Sequence, residues 1–252
     1  MTIAAQGRRY AARVSKKRLD VLMVERGLAE TRSQAQALVL AGKVPGHAKA
    51  GEQVDDSAEI ELEAGPRFVS RGGEKLANAI AVFAIDVEGE ECLDVGASTG
   101  GFTDCLLQAG AARVCALDVG YGQLHPKLRD DPRVTVLERV NVRNLDCEEL
   151  PFRPSFVTCD VSFISLAKAL PPALRCAARD WRALVLVKPQ FEAGRAEVGK
   201  GGVVRDPEVQ RRVVDEIAAQ SSGWGAQVEG VADSGLPGPK GNREFFLYLR
   251  AA

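Results

Sequence analysis

The segment LVLVKP places a lysine directly after a run of residues typical of a buried strand. Leu184 to Val187 are apolar and Lys188 follows them without a spacer. Burying an ammonium group is costly unless the group is paired or loses its proton. Pro189 ends the strand, because its nitrogen has no hydrogen to donate to a ladder. A lysine in this position is therefore a candidate for a chemical role.

Three further charged residues are predicted to reach the same edge of a sheet. Asp160 is predicted to end the fourth strand, and Glu244 lies at the start of the last predicted strand, REFFLYLR. In an open α/β sheet the ligand crevice lies at the carboxyl ends of the parallel strands. An antiparallel last strand begins at that same edge, and Lys75 lies in a helix that leads into the domain. Each residue alone also fits a structural role, as a cap, a rim charge or a solvated helix residue.

A glycine-rich turn, LDVGASTGGFTD, separates a predicted strand from a predicted helix. Its glycines let a ligand approach the backbone, and Asp118, at the end of the next strand, can bind ribose hydroxyls. The spacing fits neither a dinucleotide fingerprint nor a P-loop, and Asp94 favours a ligand with a positive charge. We predict S-adenosylmethionine; the alternative is that the glycines serve only close packing. The predicted cofactor residues are Asp94, Gly96, Ala97, Ser98, Thr99, Gly100, Phe102, Asp118, Val119, Asn141 and Asp160.

The sequence narrows the choice of substrate atom that would receive the methyl group. Methylation of an amino group in nucleic acids uses a proline-containing run after the fourth strand, where this chain has DVSF. Carbon-5 methylation of a pyrimidine uses a thiolate, commonly after a proline, and no cysteine here follows one. A ribose 2′-hydroxyl instead needs a base to accept its proton, which a neutral lysine can do. We expect Lys188 to be that base, with Lys75 nearby and with Asp160 and Glu244 holding it in place.

Positive charge is concentrated at the start of the chain. The formal net charge is −1, but residues 1–50 contain ten Lys or Arg and three Asp or Glu, which leaves −8 for the remainder. This excess predicts a polyanion partner such as nucleic acid, although a solvated basic tail is the alternative. The predicted RNA contacts, each of which could also be a solvated surface charge, are Lys17, Arg18, Arg26, Arg32, Lys43, Arg71, Lys200 and Arg205.

Cysteine and histidine usage argues against a metal site. The six cysteines show no C-x-x-C spacing and there are only two histidines, so we predict no metal. Most of the cysteines lie among apolar residues, where they behave as small hydrophobic side chains. No apolar run reaches the roughly 18 residues that span a membrane. The basic N-terminus lacks the apolar core of a signal peptide, so we expect a cytoplasmic protein with no membrane partner.

The patterning predicts two domains. Residues 1–15 are expected to be a basic, flexible extension, and 16–64 a small module of two helices with a hairpin-like end. Thr31 and Gln34 form a capping-box pattern in that module. Residues 65–73, with several Gly and Pro, are the predicted linker to an α/β domain over 74–252.

The second domain is predicted to be a doubly wound, Rossmann-like sheet of seven strands. The link between the last two strands, SGLPGPKGN, is too short for a crossover helix, so they should pair antiparallel. Helices are expected at 100–110, 123–129, 144–150 and 165–178, and from Asp206 as an N-cap. The predicted strands are ECLDVG, RVCALDV, VTVLERV, FVTCDVSF, ALVLVKP, QVEGVAD and REFFLYLR.

Several longer motifs resemble one family over residues 16–250. SRGGEKL, LDVGASTGGFT, DVGYGQL, DVSFISL, VKPQFEAG, GGVVRDP and LPGPKGNREFFLYL are similar to motifs of the TlyA family. The resemblance implies a class I methyltransferase domain of the FtsJ-like (RrmJ) type, preceded by an α+β S4 RNA-binding domain. It implies a Lys-Asp-Lys-Glu tetrad on Lys75, Asp160, Lys188 and Glu244. Its departures are KVPGHAKAGEQV, which lacks a Val-Asn-Gly step, and PRFV, which lacks a tryptophan.

The activity implied by this resemblance is S-adenosylmethionine-dependent 2′-O-methylation of a cytidine in ribosomal RNA. Ribosomal RNA or ribosomal subunits would be the partners, with no metal. The short segment after the last strand favours 23S rRNA, and 16S rRNA stays open. Two other functions are open: a non-catalytic RNA-binding or ribosome-assembly factor, and a membrane-lytic protein, as the family's older hemolysin label suggests.

Overall fold

The first unit is built from two short strands and two helices. The computed structural model describes residues 15–63 and 65–252, and the chain divides into two units, residues 1–66 and 67–252. Strand β1 (Lys16–Arg18) leads into helix α1 (Leu19–Glu25), followed by α2 (Arg32–Leu40) and β2 (Gln53–Asp55). β1 and β2 pair antiparallel. The predicted extension at 1–15 lies, apart from residue 15, outside the described residues.

Local signals fix the ends of the helices in this unit. The Thr31 side chain accepts the backbone N–H of Gln34 at 3.1 Å, which confirms the predicted cap of α2. The Gln34 side chain accepts the N–H of Glu30 rather than that of Thr31, so the capping box is displaced by one residue. The predicted hairpin-like end was wrong, because β2 pairs with the start of the unit. Ile60 packs on the small core as part of an extended segment instead.

The second unit contains one seven-stranded sheet in the order β5-β4-β3-β6-β7-β9-β8. β9 is antiparallel to both of its neighbours, and the other paired strands run parallel, which confirms the predicted fold class. The strands are β3 (Glu91–Val95), β4 (Arg113–Asp118), β5 (Val134–Glu138), β6 (Phe156–Cys159), β7 (Arg182–Val187), β8 (Ala226–Asp233) and β9 (Phe245–Ala251).

Helices cover both faces of this sheet. They are α3 (Arg71–Val82), α4 (Gly101–Gln108), α5 (Pro126–Arg129), α6 (Leu166–Arg175), α7 (Pro189–Glu192) and α8 (Pro207–Ser221). Asp206 caps α8 as predicted, because its side chain accepts the N–H of Glu208 at 2.8 Å. Helix α3 begins inside the stretch predicted as linker, and the helix predicted at 144–150 is instead two 3-10 turns, at 142–144 and 147–149.

Strand β7 shows why a continuous apolar run was the correct signal for a central strand. Ala183, Val185 and Val187 pack into the core on one face of the sheet, while Leu184 and Leu186 pack into the core on the other. A parallel strand covered by helices on both faces has no solvent side and needs no polar alternation. The first residue that can carry charge is the one that follows the strand.

The cysteines divide into two groups. Cys92, Cys105, Cys115 and Cys159 are free and buried, and desolvation by burial raises the pKa of each thiol, as expected for small hydrophobic residues. Cys147 and Cys176 form a disulfide between the 3-10 turn at 147–149 and the end of α6, with their Cα atoms 5.0 Å apart. Their separation of 29 residues gave no sequence signal for this pairing.

Two neighbouring glycines in the first turn of α3 allow a matched test of the packing that positions this helix. A Cβ on Gly73 would overlap the ring of Phe68, whereas a Cβ on Gly72 would lie in ordinary contact, 3.4 Å from Ser70 Oγ. We expect Gly73→Ala to lower the free energy of unfolding of the second unit by about 1–3 kcal/mol. Gly72→Ala should leave it unchanged or raise it by up to about 1 kcal/mol. Urea unfolding measures both, and equal effects of the two substitutions would contradict this packing.

Candidate active site

Two lysine–carboxylate pairs line one cavity at the carboxyl edge of the sheet. Lys188 Nζ lies 2.5 Å from Asp160 Oδ1, and Lys75 Nζ lies 2.5 Å from Glu244 Oε2. All four side chains line a cavity of about 620 Å³. The structure therefore brings together the three predicted strand-end residues, Asp160, Lys188 and Glu244, with Lys75 from helix α3.

The sheet register explains how three of these residues meet. β7 pairs with β6 on one side and with the antiparallel β9 on the other, and Val187 lies opposite Phe245. Lys188 and Glu244, the next residues outward on the two strands, therefore leave the sheet at the same edge. The N–H of Asp160 donates to the carbonyl oxygen of Val95, the last residue of β3, at 2.9 Å. This hydrogen bond places Asp160 at the same edge of the sheet.

The two pairs differ in their access to solvent. The side chains of Lys75 and Glu244 are 9% and 1% exposed, and those of Lys188 and Asp160 are 12% and 25% exposed. The inner pair is thus largely desolvated, and mutual pairing offsets the cost of burying its charges. The outer pair is the more exposed of the two pairs within the same cavity.

Pairing within the tetrad differs from the sequence-based expectation. Both carboxylates were expected to hold Lys188, but the structure gives each lysine its own carboxylate. Lys188 Nζ also donates to Ser162 Oγ at 3.0 Å, and Gln190 Nε2 donates to Glu244 Oε1 at 3.4 Å. Each ion pair is therefore braced by one neutral side chain.

The glycine-rich turn packs directly on the loop that carries Asp160. Gly96 has φ +83°, and a Cβ there would lie 2.6 Å from Asp160 O, so only glycine allows this approach. The carboxylate of Asp118 accepts the N–H of Ser98 at 2.8 Å and that of Gly120 at 2.6 Å. Two backbone donors fix the orientation of Asp118, and its carboxylate oxygens keep lone pairs for a further ligand.

A second cavity, of about 440 Å³, lies beside the first. Asp118 and Val119 line it at the end of β4, and Asn141 lines it after β5. Gly96, Ser98 and Asp160 line both cavities. An acceptor carboxylate at the end of a strand, a glycine turn and an exposed apolar residue suit the ribose and base of a nucleoside. The residues that line the two cavities therefore fit S-adenosylmethionine.

Two predicted cofactor residues do not reach either cavity. Asp94 is completely buried and accepts hydroxyl hydrogens from Thr103 at 2.7 Å and from Thr158 at 2.9 Å. It therefore braces β3 against α4 and β6. Gly100 is the N-cap of α4 with φ +93°, and a Cβ there would meet Leu124 and Leu128. Ala97, Thr99 and Phe102 do line the larger cavity.

The predicted RNA contacts of the second unit are only partly at this cavity. Arg71 lines it, from the first turn of α3. Lys200 and Arg205 are exposed in the segment between α7 and α8 and do not line it. Sequence reasoning missed Lys240, a lining residue in the loop before β9. It could have been selected because that loop opens at the same edge as Glu244.

In the first unit the five predicted RNA contacts have different surroundings. Lys17 pairs with Glu25, and Lys43 pairs with Glu63, on the surface. Arg26 donates to two backbone carbonyls, which is a structural role. Arg18 and Arg32 share a single buried carboxylate, Asp20.

Aromatic and neutral residues complete the cavity and were not singled out from the sequence. Phe163 is 91% exposed, and its ring centroid lies 5.0 Å from that of Phe191. Each follows one of the charged strand-end residues by three positions, in the motifs DVSF and KPQF. The rule that selected Asp160 and Lys188 therefore also pointed to these loops.

Comparison with known proteins decides the family. The family model for FtsJ-like methyltransferases matches residues 68–251, and the S4 domain model matches residues 17–44. The chain belongs to the FtsJ-like methyltransferase family. The structure therefore has a methyltransferase domain in its second unit and an S4 domain in its first, as the motifs implied.

Similar proteins include both enzymes and proteins with a different label. The 16S/23S rRNA (cytidine-2′-O)-methyltransferase TlyA of Mycobacterium tuberculosis is 50% identical over 92% of this chain and 89% of its own length. Hemolysin A of Brachyspira hyodysenteriae is 40% identical over 92% and 99%. A solved structure from Streptococcus thermophilus, provisionally named a hemolysin, is 43% identical, with a TM-score of 0.73 and coverage of 95% and 90%.

Two features are absent from residues 15–63 and 65–252. No helix there combines the length and the apolar character required to cross a membrane. No cluster of three or more His, Cys, Asp or Glu in those residues is arranged to hold a metal ion.

The buried carboxylate of Asp94 makes stability depend on pH. Desolvation raises its pKa to about 6, although the hydroxyls of Thr103 and Thr158 act in the opposite direction. Because the folded pKa lies above the unfolded value of about 3.9, the folded state binds more protons between these pH values. We expect this group to cost up to about 3 kcal/mol of stability as pH rises from 4 to 7.

Asp94→Asn should remove this pH dependence. Urea unfolding of both proteins at pH 4.5, 6 and 7.5 measures it. Relative to the variant, the wild type should lose free energy of unfolding mostly between pH 4.5 and 6, with little further loss by pH 7.5. A constant difference would contradict a raised pKa at Asp94.

Proposed function

We propose that the chain transfers a methyl group from S-adenosylmethionine to the 2′-hydroxyl of a cytidine in 23S rRNA, with 16S rRNA as a second candidate substrate. The observation that carries this proposal is the Lys188–Asp160 pair, which faces a cavity continuous with the glycine turn. The name of the M. tuberculosis relative supports the substrate class. Action on ribosomal RNA also agrees with the predicted cytoplasmic location.

Cofactor binding is assigned to the glycine turn and to the ends of β4 and β5. We propose that Asp118 accepts the ribose hydroxyls, that Val119 packs on the base, and that Asn141 closes the pocket. Backbone groups of the turn, Gly96 to Thr99, would hold the amino-acid end. When bound, S-adenosylmethionine supplies an electrophilic methyl group on a sulfonium.

Lys188 is assigned as the base for the ribose hydroxyl. To act as the base, the Lys188 ammonium first releases one proton to solvent; its amine then accepts the hydroxyl proton, and the carboxylate of Asp160, 2.5 Å away, stabilises the ammonium that forms again. Ser162 restricts the amine to one direction through its 3.0 Å hydrogen bond. The inner pair, Lys75 and Glu244, supplies fixed charges behind the hydroxyl that need no reorganisation during the reaction.

RNA binding is assigned to basic residues on both units. We propose that the S4 domain holds ribosomal RNA through its arginines and lysines, and that Arg71 and Lys240 contact phosphates at the cavity. Lys200 and Arg205 keep their predicted role as contacts from the neighbouring loop. Phosphate contacts of this kind set affinity and register rather than the choice of nucleotide.

Replacement of the proposed base should abolish turnover without loss of the fold. We expect Lys188→Ala to lower kcat for methyl transfer to ribosomal RNA by about 10²–10⁴-fold, which is the usual contribution of a general base. Binding of S-adenosylmethionine should persist. Transfer of tritium from labelled S-adenosylmethionine to 23S rRNA measures the rate.

Lys127→Ala is the matched control, because Lys127 is an exposed lysine of the same unit outside the cavity. It should retain activity. Full activity in Lys188→Ala would refute its assignment as the base. RNA binding without any methyl transfer by the wild type would favour the non-catalytic assembly factor, and lysis of red cells by the pure protein would favour the membrane-lytic function.

The ribose-binding role of Asp118 predicts a selective loss of cofactor affinity. We expect Asp118→Ala to weaken binding of S-adenosylmethionine about 10- to 100-fold, because two charge-assisted hydrogen bonds are lost. Calorimetric titration measures the affinity. Glu138→Gln alters the carboxylate at the end of the adjacent strand, outside the cavity, and should have little effect. Equal affinities for wild type and Asp118→Ala would contradict this role.

A further inference from the structure

The first unit contains a carboxylate enclosed by three side-chain donors. Asp20 has no exposed surface. Arg18 donates from Nε to Oδ1 at 3.0 Å and from Nη2 to Oδ2 at 2.8 Å, which is a bidentate pair. Arg32 donates to Oδ2 at 3.2 Å, and Gln36 donates to the same oxygen at 2.9 Å. We name Arg18, Asp20, Arg32 and Gln36 the Asp20 cluster.

The carboxylate at the centre of this cluster stays ionised. Its hydrogen bond from Arg18 is the largest influence and holds the pKa of Asp20 well below its usual range, although burial acts to raise it. A permanent negative charge therefore restrains both guanidinium groups. One buried carboxylate, that of Asp20, therefore holds two guanidinium groups, those of Arg18 and Arg32.

Both arginines keep donors for another partner. The side chains of Arg18 and Arg32 are 43% and 56% exposed. A guanidinium has five N–H groups, and Arg18 uses two of them on Asp20 while Arg32 uses one. The remaining N–H groups belong to half-exposed side chains that already hydrogen-bond to Asp20.

The other basic residues of the unit are held differently. Lys17 and Lys43 each form one exposed pair, with Glu25 and Glu63, and a lysine acts as a point charge on a flexible stem. Arg26 spends its donors on backbone carbonyls. Among the predicted RNA contacts of this unit, Arg18 and Arg32 are the two guanidinium groups held by the same buried side-chain carboxylate.

We propose that Arg18 and Arg32 form a phosphate clamp and that Asp20 is the residue that positions it. The ligand is a backbone phosphate of ribosomal RNA, so the proposal rests on the RNA binding proposed above. Planar guanidinium forks match phosphate oxygens, and a fork held in advance loses less entropy on binding. The clamp fixes how the S4 domain is oriented along the RNA backbone.

Charge and positioning make opposite predictions for one substitution. Asp20→Asn removes a negative charge beside two arginines, so attraction of a polyanion by charge alone would tighten RNA binding. If Asp20 positions the clamp, the same substitution weakens binding. We expect the Kd for RNA to rise about tenfold, as for the loss of one charge-assisted hydrogen bond.

A double variant tests the clamp without changing the number of charges. Arg18→Lys and Arg32→Lys, made together, keep both positive charges and lose both forks. We expect them to raise the Kd about tenfold while leaving the slope of log Kd against log salt nearly unchanged. Glu25→Gln is the matched control, because it neutralises an exposed carboxylate of the same unit, and it should bind RNA as tightly as wild type or more tightly.

Filter binding of a 23S rRNA transcript by the full chain, at several salt concentrations, measures these affinities. Thermal unfolding of each variant reports whether it is folded.

Weaker binding by folded Asp20→Asn and by the double variant Arg18→Lys with Arg32→Lys, here called the lysine pair, supports the clamp. If Asp20→Asn unfolds, the lysine pair decides. Wild-type affinity in the lysine pair, or tighter binding by folded Asp20→Asn, overturns the clamp alone. Failure of the wild type to bind RNA at any salt overturns the proposed function as well.

Discussion

The active site depends on burying two ammonium groups at the edge of an apolar sheet. An isolated buried ammonium is too costly to retain, so each lysine requires a carboxylate within contact distance. The sheet supplies these partners because β6, β7 and β9 all reach one edge, two ending there and one starting. Antiparallel β9 is essential to this arrangement, since in a parallel last strand Glu244 would lie at the opposite edge.

The same constraint explains the unequal exposure of the two pairs. Glu244 is the most deeply buried of the four charges, and its partner arrives from α3, outside the sheet. The position of α3 therefore has to be fixed by packing, and the contact of Gly73 with Phe68 does this. Lys188 needs no such support, because its backbone continues a central strand. One lysine is placed by a helix and the other by the sheet.

Much of this arrangement could be predicted from the sequence, because most of the residues concerned lie at the ends of predicted strands. Asp160, Lys188 and Glu244 were selected by the rule that places ligands at the carboxyl edge, and Asp118 by its position one strand further. The pairing of each lysine with one carboxylate could not be predicted, because it depends on side-chain directions within a few ångströms. Asp94 was assigned to the cofactor for its place beside the turn, yet its side chain points into the core.

Contacts between distant segments were the other source of error. The pairing of β1 with β2 and the disulfide between Cys147 and Cys176 join residues whose separation carries no periodic signal. The Asp20 cluster is of the same kind, since Arg18 and Arg32 flank a helix and meet only in the folded unit. Their positive charge could be read from the sequence, and only the structure showed that both arginines bind the same buried carboxylate.

The most direct test of the central claim is a map of 2′-O-methylation in ribosomal RNA from cells with and without this protein. We expect one or a few cytidines to carry a 2′-O-methyl group only when the protein is present, and re-expression of the wild-type chain to restore it. Identical 2′-O-methylation in both RNAs, or a modification confined to a nucleobase, would contradict the assignment of Lys188 as the proton acceptor for a ribose hydroxyl.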